Sequence, residues 1–209
     1  MTFCASLHAR SLGDDVLDSK AAVHFASLTV LAAACALILI VLLSGLEINR
    51  DCAVHLQCAQ LLLAGRIPYL DYVELNPPLA HYIHVLPVLL ARWVGQEVVI
   101  VFHTMVMGMA LVSAALFFVI ISRTRAVKSR VGSLLMTAAW LVFSLFVLIS
   151  GEFGQREHLF LLGYLPWLYC REGHYRGARL PKALTVTSGI FAGLFLLLKP
   201  HFVLIVAII

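Results

Sequence analysis

The chain has 209 residues, 62% of them hydrophobic and only 12% charged, with 15 basic against 11 acidic side chains and a formal net charge of +4. So little charge cannot cover the surface of a water-soluble domain, and the apolar residues fall in long runs, so composition excludes a soluble enzyme and points to a lipid bilayer as partner. The basic residues are scattered through short stretches between those runs, which excludes a nucleic-acid partner.

No linker, repeat or low-complexity tract interrupts the sequence, which divides into a cytoplasmic tail over 1–20 and one membrane domain over 21–209. The stretch from Ala21 to Leu46 is too long for the apolar part of a cleaved signal, although Ala32-Ala33-Ala34-Cys35 faintly resembles a lipoprotein box. It reads as an uncleaved span over 22–45, followed by a loop over 47–97 that holds a helical stretch from Asp51 to Ala64. Further spans are expected over 98–121, 131–150, 155–170 and 184–209, about five in all. The segment Leu79–Val94 is short and carries His81, His84 and Arg92.

Charge decides how that segment lies. Arg123, Arg125, Lys128 and Arg130 fill one loop without an acid, and Arg171, Arg176, Arg179 and Lys182 fill another with only Glu172 opposing. Both loops belong on the cytoplasmic side. They fall there together only if Leu79–Val94 does not cross the bilayer, so an interfacial or re-entrant helix is expected, with Pro77-Pro78 at its start. The fold class is then all-α: a polytopic membrane helix bundle with external juxtamembrane helices and a cytoplasmic N-terminus, in the plasma membrane. The loops over 47–97 and 151–157 face outward.

Those two loops concentrate the ionisable groups. Asp51 begins a helix, where a carboxylate is favoured by the helix dipole; it is also placed to act as a general base. His55 shares its helical face one turn on, and His81 and His84 share another. These residues are either a divalent-metal site or interfacial histidines among lipid headgroups; no other cofactor is implied. Asp71 and Glu74 are either solvated loop acids or substrate contacts. In Gln155-Arg156-Glu157-His158 at the head of a span, Arg156 either snorkels beside a paired Glu157 or binds a phosphate, with Glu157 facing Asp51. Lys199, inside the last apolar run beside Pro200, either snorkels or contacts a lipid phosphate. None of Cys4, Cys35, Cys52, Cys58 and Cys170 forms a CxxC pair, so no disulfide or redox role is expected.

The order of these features resembles the GT-C type of polyprenyl-phosphate-sugar glycosyltransferase, in the superfamily of the dolichyl-phosphate-mannose mannosyltransferases. The matching residues are Asp51 after the first span, the run Gln60-Leu61-Leu62-Leu63-Ala64-Gly65-Arg66-Ile67-Pro68-Tyr69, and Asn76-Pro77-Pro78-Leu79. They continue with Glu157 in Gly154-Gln155-Arg156-Glu157-His158-Leu159, and with Gly189 to Gly193 before Lys199-Pro200. Where the family pattern often has two adjacent acids, Asp51 is followed by Cys52. The resemblance runs from about Ala21 onward and corresponds to the N-terminal part of such enzymes, as a fragment or truncated copy would.

The resemblance implies an inverting transfer of a sugar from a polyprenyl-phosphate donor to a cell-envelope or lipid acceptor on the external face. Asp51 would activate the acceptor hydroxyl and Glu157 would assist it. Arg156, His158, Asp71, Glu74 and Lys199 would contact substrate, with Arg156 and Lys199 stabilising the leaving phosphate. The alternative is a non-catalytic multi-pass protein, either a transporter segment or an assembly subunit.

Overall fold

The computed structural model describes residues 47–208 except 74, 125, 128, 148–150 and 200, so the expected first span and Glu74 lie outside the described residues. Among the described residues the architecture is all-helical, with seven helices. They are α1 (Arg50–Leu63), α2 (Pro78–Val94), α3 (Val98–Thr124), α4 (Arg130–Phe146), α5 (Arg156–Tyr175), α6 (Lys182–Leu196) and α7 (Phe202–Ile208).

Local chemistry sets the boundaries. The Asn49 side chain accepts from the Asp51 amide at 2.8 Å and caps α1. That helix stops where Gly65 turns to φ +81° and the Arg66 amide donates back to the Leu61 carbonyl. Proline opens α2 in its first turn, where no backbone donor is needed, and a left-handed Gly95 closes it. Ser129 caps α4 by accepting from the Gly132 amide at 2.9 Å.

The 27-residue α3 has a mean hydropathy of 2.4 over its most apolar window and is the one described helix long and apolar enough to cross a membrane. At 1.5 Å per residue it is roughly 40 Å long, against a hydrocarbon core of about 30 Å. The expected span over 184–209 is instead divided into α6 and the short α7. The break falls around Lys199-Pro200, where proline lacks the amide that a continuous helix would use.

Side-chain registers define how the helices run. Phe102 lies against Gly154, the Ser113 hydroxyl donates to the Leu162 carbonyl at 2.6 Å, and Thr124 meets Gly173. Contacts that advance together in this way make α3 and α5 parallel. The intervening α4 returns antiparallel and brings the Trp140 indole N–H within 3.1 Å of the Ser113 hydroxyl. Gly163 packs on Ala192 and Phe195, Trp167 faces Gly189, and His174 reaches Thr185, so α6 runs antiparallel to α5. The core consists of aromatic and branched side chains along these seams, among them Phe102, Phe117, Trp140, Leu162 and Phe195.

This register sorts the charges. Arg123, Arg130, Arg171, Arg176, Arg179 and Lys182 gather at the end where Thr124 meets Gly173. The turn between α4 and α5, the start of α1 and Lys199 gather at the other.

Candidate functional site

Four separate stretches of chain meet at the end opposite the basic loops. The turn before α5 is formed by Gly151 (φ +75°) and Gly154 (φ +80°), both in the left-handed region that favours glycine. At Gly154 a side chain is also excluded by space, because a Cβ would lie 2.5 Å from the Phe102 ring. The turn is stitched to α1: the Asn49 amide donates to the Gly151 carbonyl at 2.8 Å, and the Cys52 thiol reaches the Phe153 carbonyl at 3.9 Å. This docking sets Asp51 beside the first residue of α5.

There, Arg156 Nη2 is 3.8 Å from Asp51 Oδ2, while Arg156 Nη1 donates to Asn76 Oδ1 in the loop before α2. The next residue, Glu157, pairs with Lys199 Nζ at the break between α6 and α7. The burial is asymmetric. The Arg156 and Lys199 side chains are 10% and 18% exposed, whereas those of Asp51 and Glu157 are 57% and 48% exposed. Two open carboxylates are therefore backed by one buried cation, Arg156, and one partly buried cation, Lys199. A carboxylate in contact with solvent can exchange a proton with an incoming hydroxyl, and cations held in low dielectric attract an anion strongly.

The expected site residues divide. Asp51, Arg156, Glu157 and Lys199 converge, but in two ion pairs, so Glu157 faces Lys199 and Asp51 faces Arg156. His158 is buried, accepts from the Gly154 amide at 3.1 Å and packs on Phe153 with ring centroids 5.0 Å apart. It supports the turn from beneath. The Asp71 carboxylate accepts from the Ile67 amide at 2.7 Å and closes its own loop. Asn49 and Asn76 complete the site without having been singled out. Position invites both roles: Asn49 stands immediately before a helix, and Asn76 precedes a proline, which holds it extended.

His55, His81 and His84 also come together, with the His55 ring 5.3 Å from His81 and 5.2 Å from His84. All three are buried between α1 and α2, so they do not sit among headgroups. Nor do the described His, Cys, Asp and Glu residues include a group arranged to hold a metal ion. The His84 ring fixes its tautomer by donating Nδ1–H to the Ala80 carbonyl at 2.6 Å and stacks on Phe102. Burial, then the neighbouring His55 and His81, push its pKa down to about 4, against the partial support of that hydrogen bond. Burial likewise pushes the Cys52 thiol up to about 12, with the adjacent Asp51 charge adding to it.

Two clefts of about 190 and 200 Å³ open at the basic end, one lined by Tyr164, Trp167 and Arg171 and the other by Thr124, Tyr169 and Arg176. Glu172 lines both, and neither touches Asp51 or Glu157. No family model, no curated protein and no solved structure matches the chain.

Proposed function

We propose that the chain is a membrane-embedded glycosyltransferase that moves a sugar from a polyprenyl-phosphate donor to an acceptor hydroxyl at the face bearing Asp51. The observation that carries this reading is the convergence of Asp51, Arg156, Glu157 and Lys199 from remote stretches of chain. Separation of the basic loops from the carboxylates supports a multi-pass arrangement with the basic end in the cytoplasm and α2 along the outer face.

In this mechanism the donor phosphate competes with Asp51 for Arg156, and Lys199, paired with the adjacent Glu157, supplies the second cation. Release of the ion pair frees the Asp51 carboxylate to take the proton of the acceptor hydroxyl. The acceptor oxygen forms a bond to the anomeric carbon from the face opposite the phosphate. The carbon–phosphate-oxygen bond breaks, and its electron pair leaves with the lipid phosphate, stabilised by the two cations. The 3.8 Å Asp51–Arg156 separation, beyond ordinary hydrogen-bond reach, suits a pair that a phosphate displaces.

The test uses the full chain in nanodiscs with a radiolabelled polyprenyl-phosphate hexose and a lipid acceptor. Wild type is expected to bind the donor and transfer the sugar. Asp51→Asn should retain donor binding and lose transfer by roughly 10²-fold or more, and Arg156→Ala should lose donor binding. Full transfer by Asp51→Asn would remove the base assignment, and absence of donor binding by wild type would end the reading.

A further inference from the structure

We propose that the loop over 67–75 and the outward face of α2 form a bilayer-inserting edge beside the Asp51–Arg156 pair. In it Leu70, Val73 and Leu75 enter the outer leaflet and Trp93 lies at its headgroup level. The proposal rests on the membrane-embedded reading above and adds to it a lipid contact outside the spans.

The loop leaves large apolar side chains in the open: Leu70 is 80%, Val73 93% and Leu75 95% exposed. The loop is built to present them. The Asp71 carboxylate ties the Ile67 amide, the Asp71 amide returns to the Ile67 carbonyl at 2.9 Å, and the Tyr69 amide donates to the Tyr72 carbonyl at 3.0 Å. The Tyr69 hydroxyl donates to the Asn76 carbonyl at 2.6 Å, anchoring the loop to the residue that holds Arg156. Tyr72 turns inward against His81, so its apolar neighbours face away from the core by construction.

The same division continues along α2. His81, His84, Val88 and Ala91 are buried, while Tyr82, Leu86, Leu89 and Trp93, at spacings of four, three and four, form an exposed stripe. An uncovered apolar surface of this kind marks a contact with lipid or protein.

Two features select lipid. First, Trp93, 84% exposed, lies in the last turn of α2, only five residues before Val98, where the membrane-capable α3 begins. Because α3 outruns the hydrocarbon core by roughly 10 Å, its end lies in the headgroup zone that tryptophan favours. Second, exposed Arg66 and Arg92 flank the loop and the stripe, placing cations where anionic headgroups lie.

The test attaches an environment-sensitive fluorophore to one introduced cysteine at a time, Val73→Cys or Leu75→Cys, in the full chain with Cys4→Ser and Cys35→Ser, the buried Cys52, Cys58 and Cys170 being left in place and the unsubstituted background serving as the labelling blank. Leu111→Cys on the exposed side of α3 serves as the membrane reference and Gln57→Cys as the aqueous one. The protein is reconstituted in vesicles of phosphatidylcholine and phosphatidylglycerol carrying a spin-label quencher at a shallow or a deep acyl position. Fluorophores at 73 and 75 are expected to shift to the blue and to be quenched roughly twofold more by the shallow label than by the deep one. The Leu111 position should show the reverse preference. Quenching at Leu111 without quenching at 73 and 75, with or without a blue shift, would assign the loop to a protein contact and overturn the insertion while leaving the membrane reading intact. Absence of quenching at Leu111 as well would overturn both.

Discussion

At Cys52 and His84 the same physical cause acts in opposite directions, because burial penalises whichever form carries charge. For Cys52 that form is the thiolate, and the neighbouring Asp51 carboxylate adds to the cost. The thiol is expected to resist a maleimide reagent at pH 8 in the folded protein and to react in denaturant, counted by mass spectrometry. For His84 the penalised form is the imidazolium. Its pKa is about 4 in the fold and about 6.5 when the chain is unfolded, so the unfolded state binds the extra proton between these values. Stability should therefore fall as pH drops from about 6.5 towards 4 and level off below, by a total on the order of 3 kcal/mol. The groups facing this ring are the imidazoles of His55 and His81 and, farther off, the Arg156 guanidinium, so no carboxylate offsets the added charge. Unfolding midpoints measured from pH 7 to 4 should show a shallower slope for His84→Gln than for wild type. Asp51 itself was legible as a candidate because it opens a helix; its partner was not, because ion pairing depends on which chain segments meet.

Among the elements, α5 and α6 pack closely at Gly163, where a Cβ would lie 2.7 Å from the Phe195 ring and 2.8 Å from the Phe191 carbonyl oxygen. The second neighbour is backbone and cannot rotate away. Gly163→Val should cost about 1–3 kcal/mol or more through overpacking, seen as a lower thermal midpoint in detergent. Gly189→Ala is the contrasting case, because its Cβ would meet Trp167 at 3.8 Å, an ordinary contact, and should shift the midpoint little. Both glycines lie in apolar runs where sequence alone marks small residues but not which of them touches a neighbour. The helices α1 and α2 were more legible. Each begins and ends with its own signal, Asn49 and Gly65 for α1, Pro78 and Gly95 for α2.

Across the whole molecule, the three central helices are joined by one buried polar knot. The Ser113 hydroxyl of α3 donates to the Leu162 carbonyl of α5 and accepts the Trp140 N–H of α4. Ser113→Ala would leave the indole N–H buried without an acceptor and should destabilise the fold by about 1–3 kcal/mol. Adding Trp140→Phe removes the orphaned donor, so the double variant should lose less than the sum of the single ones, as read by denaturation of all four proteins. The knot fixes the axial register of α3 against α5, and that register brings Gly154 to Phe102 and Arg156 to the level of Asp51.

Composition, run length and the placement of arginines by themselves determined that the described chain is helical, that α3 is long and apolar enough to cross a bilayer, and where most helices begin. These are local properties, set by backbone capping and by the free energy of apolar side chains along one segment. Only the tertiary structure decided that Arg156 joins Asp51 to Asn76, that Glu157 turns to Lys199, that His158 and Asp71 serve their own turns, and that three buried histidines lie together. Each of these depends on segments from 26 residues apart, as for His55 and His81, to 105, as for Asp51 and Arg156, or on which face of a turn is covered. Helix packing and register determine such contacts, and neither is encoded in any single stretch of the chain.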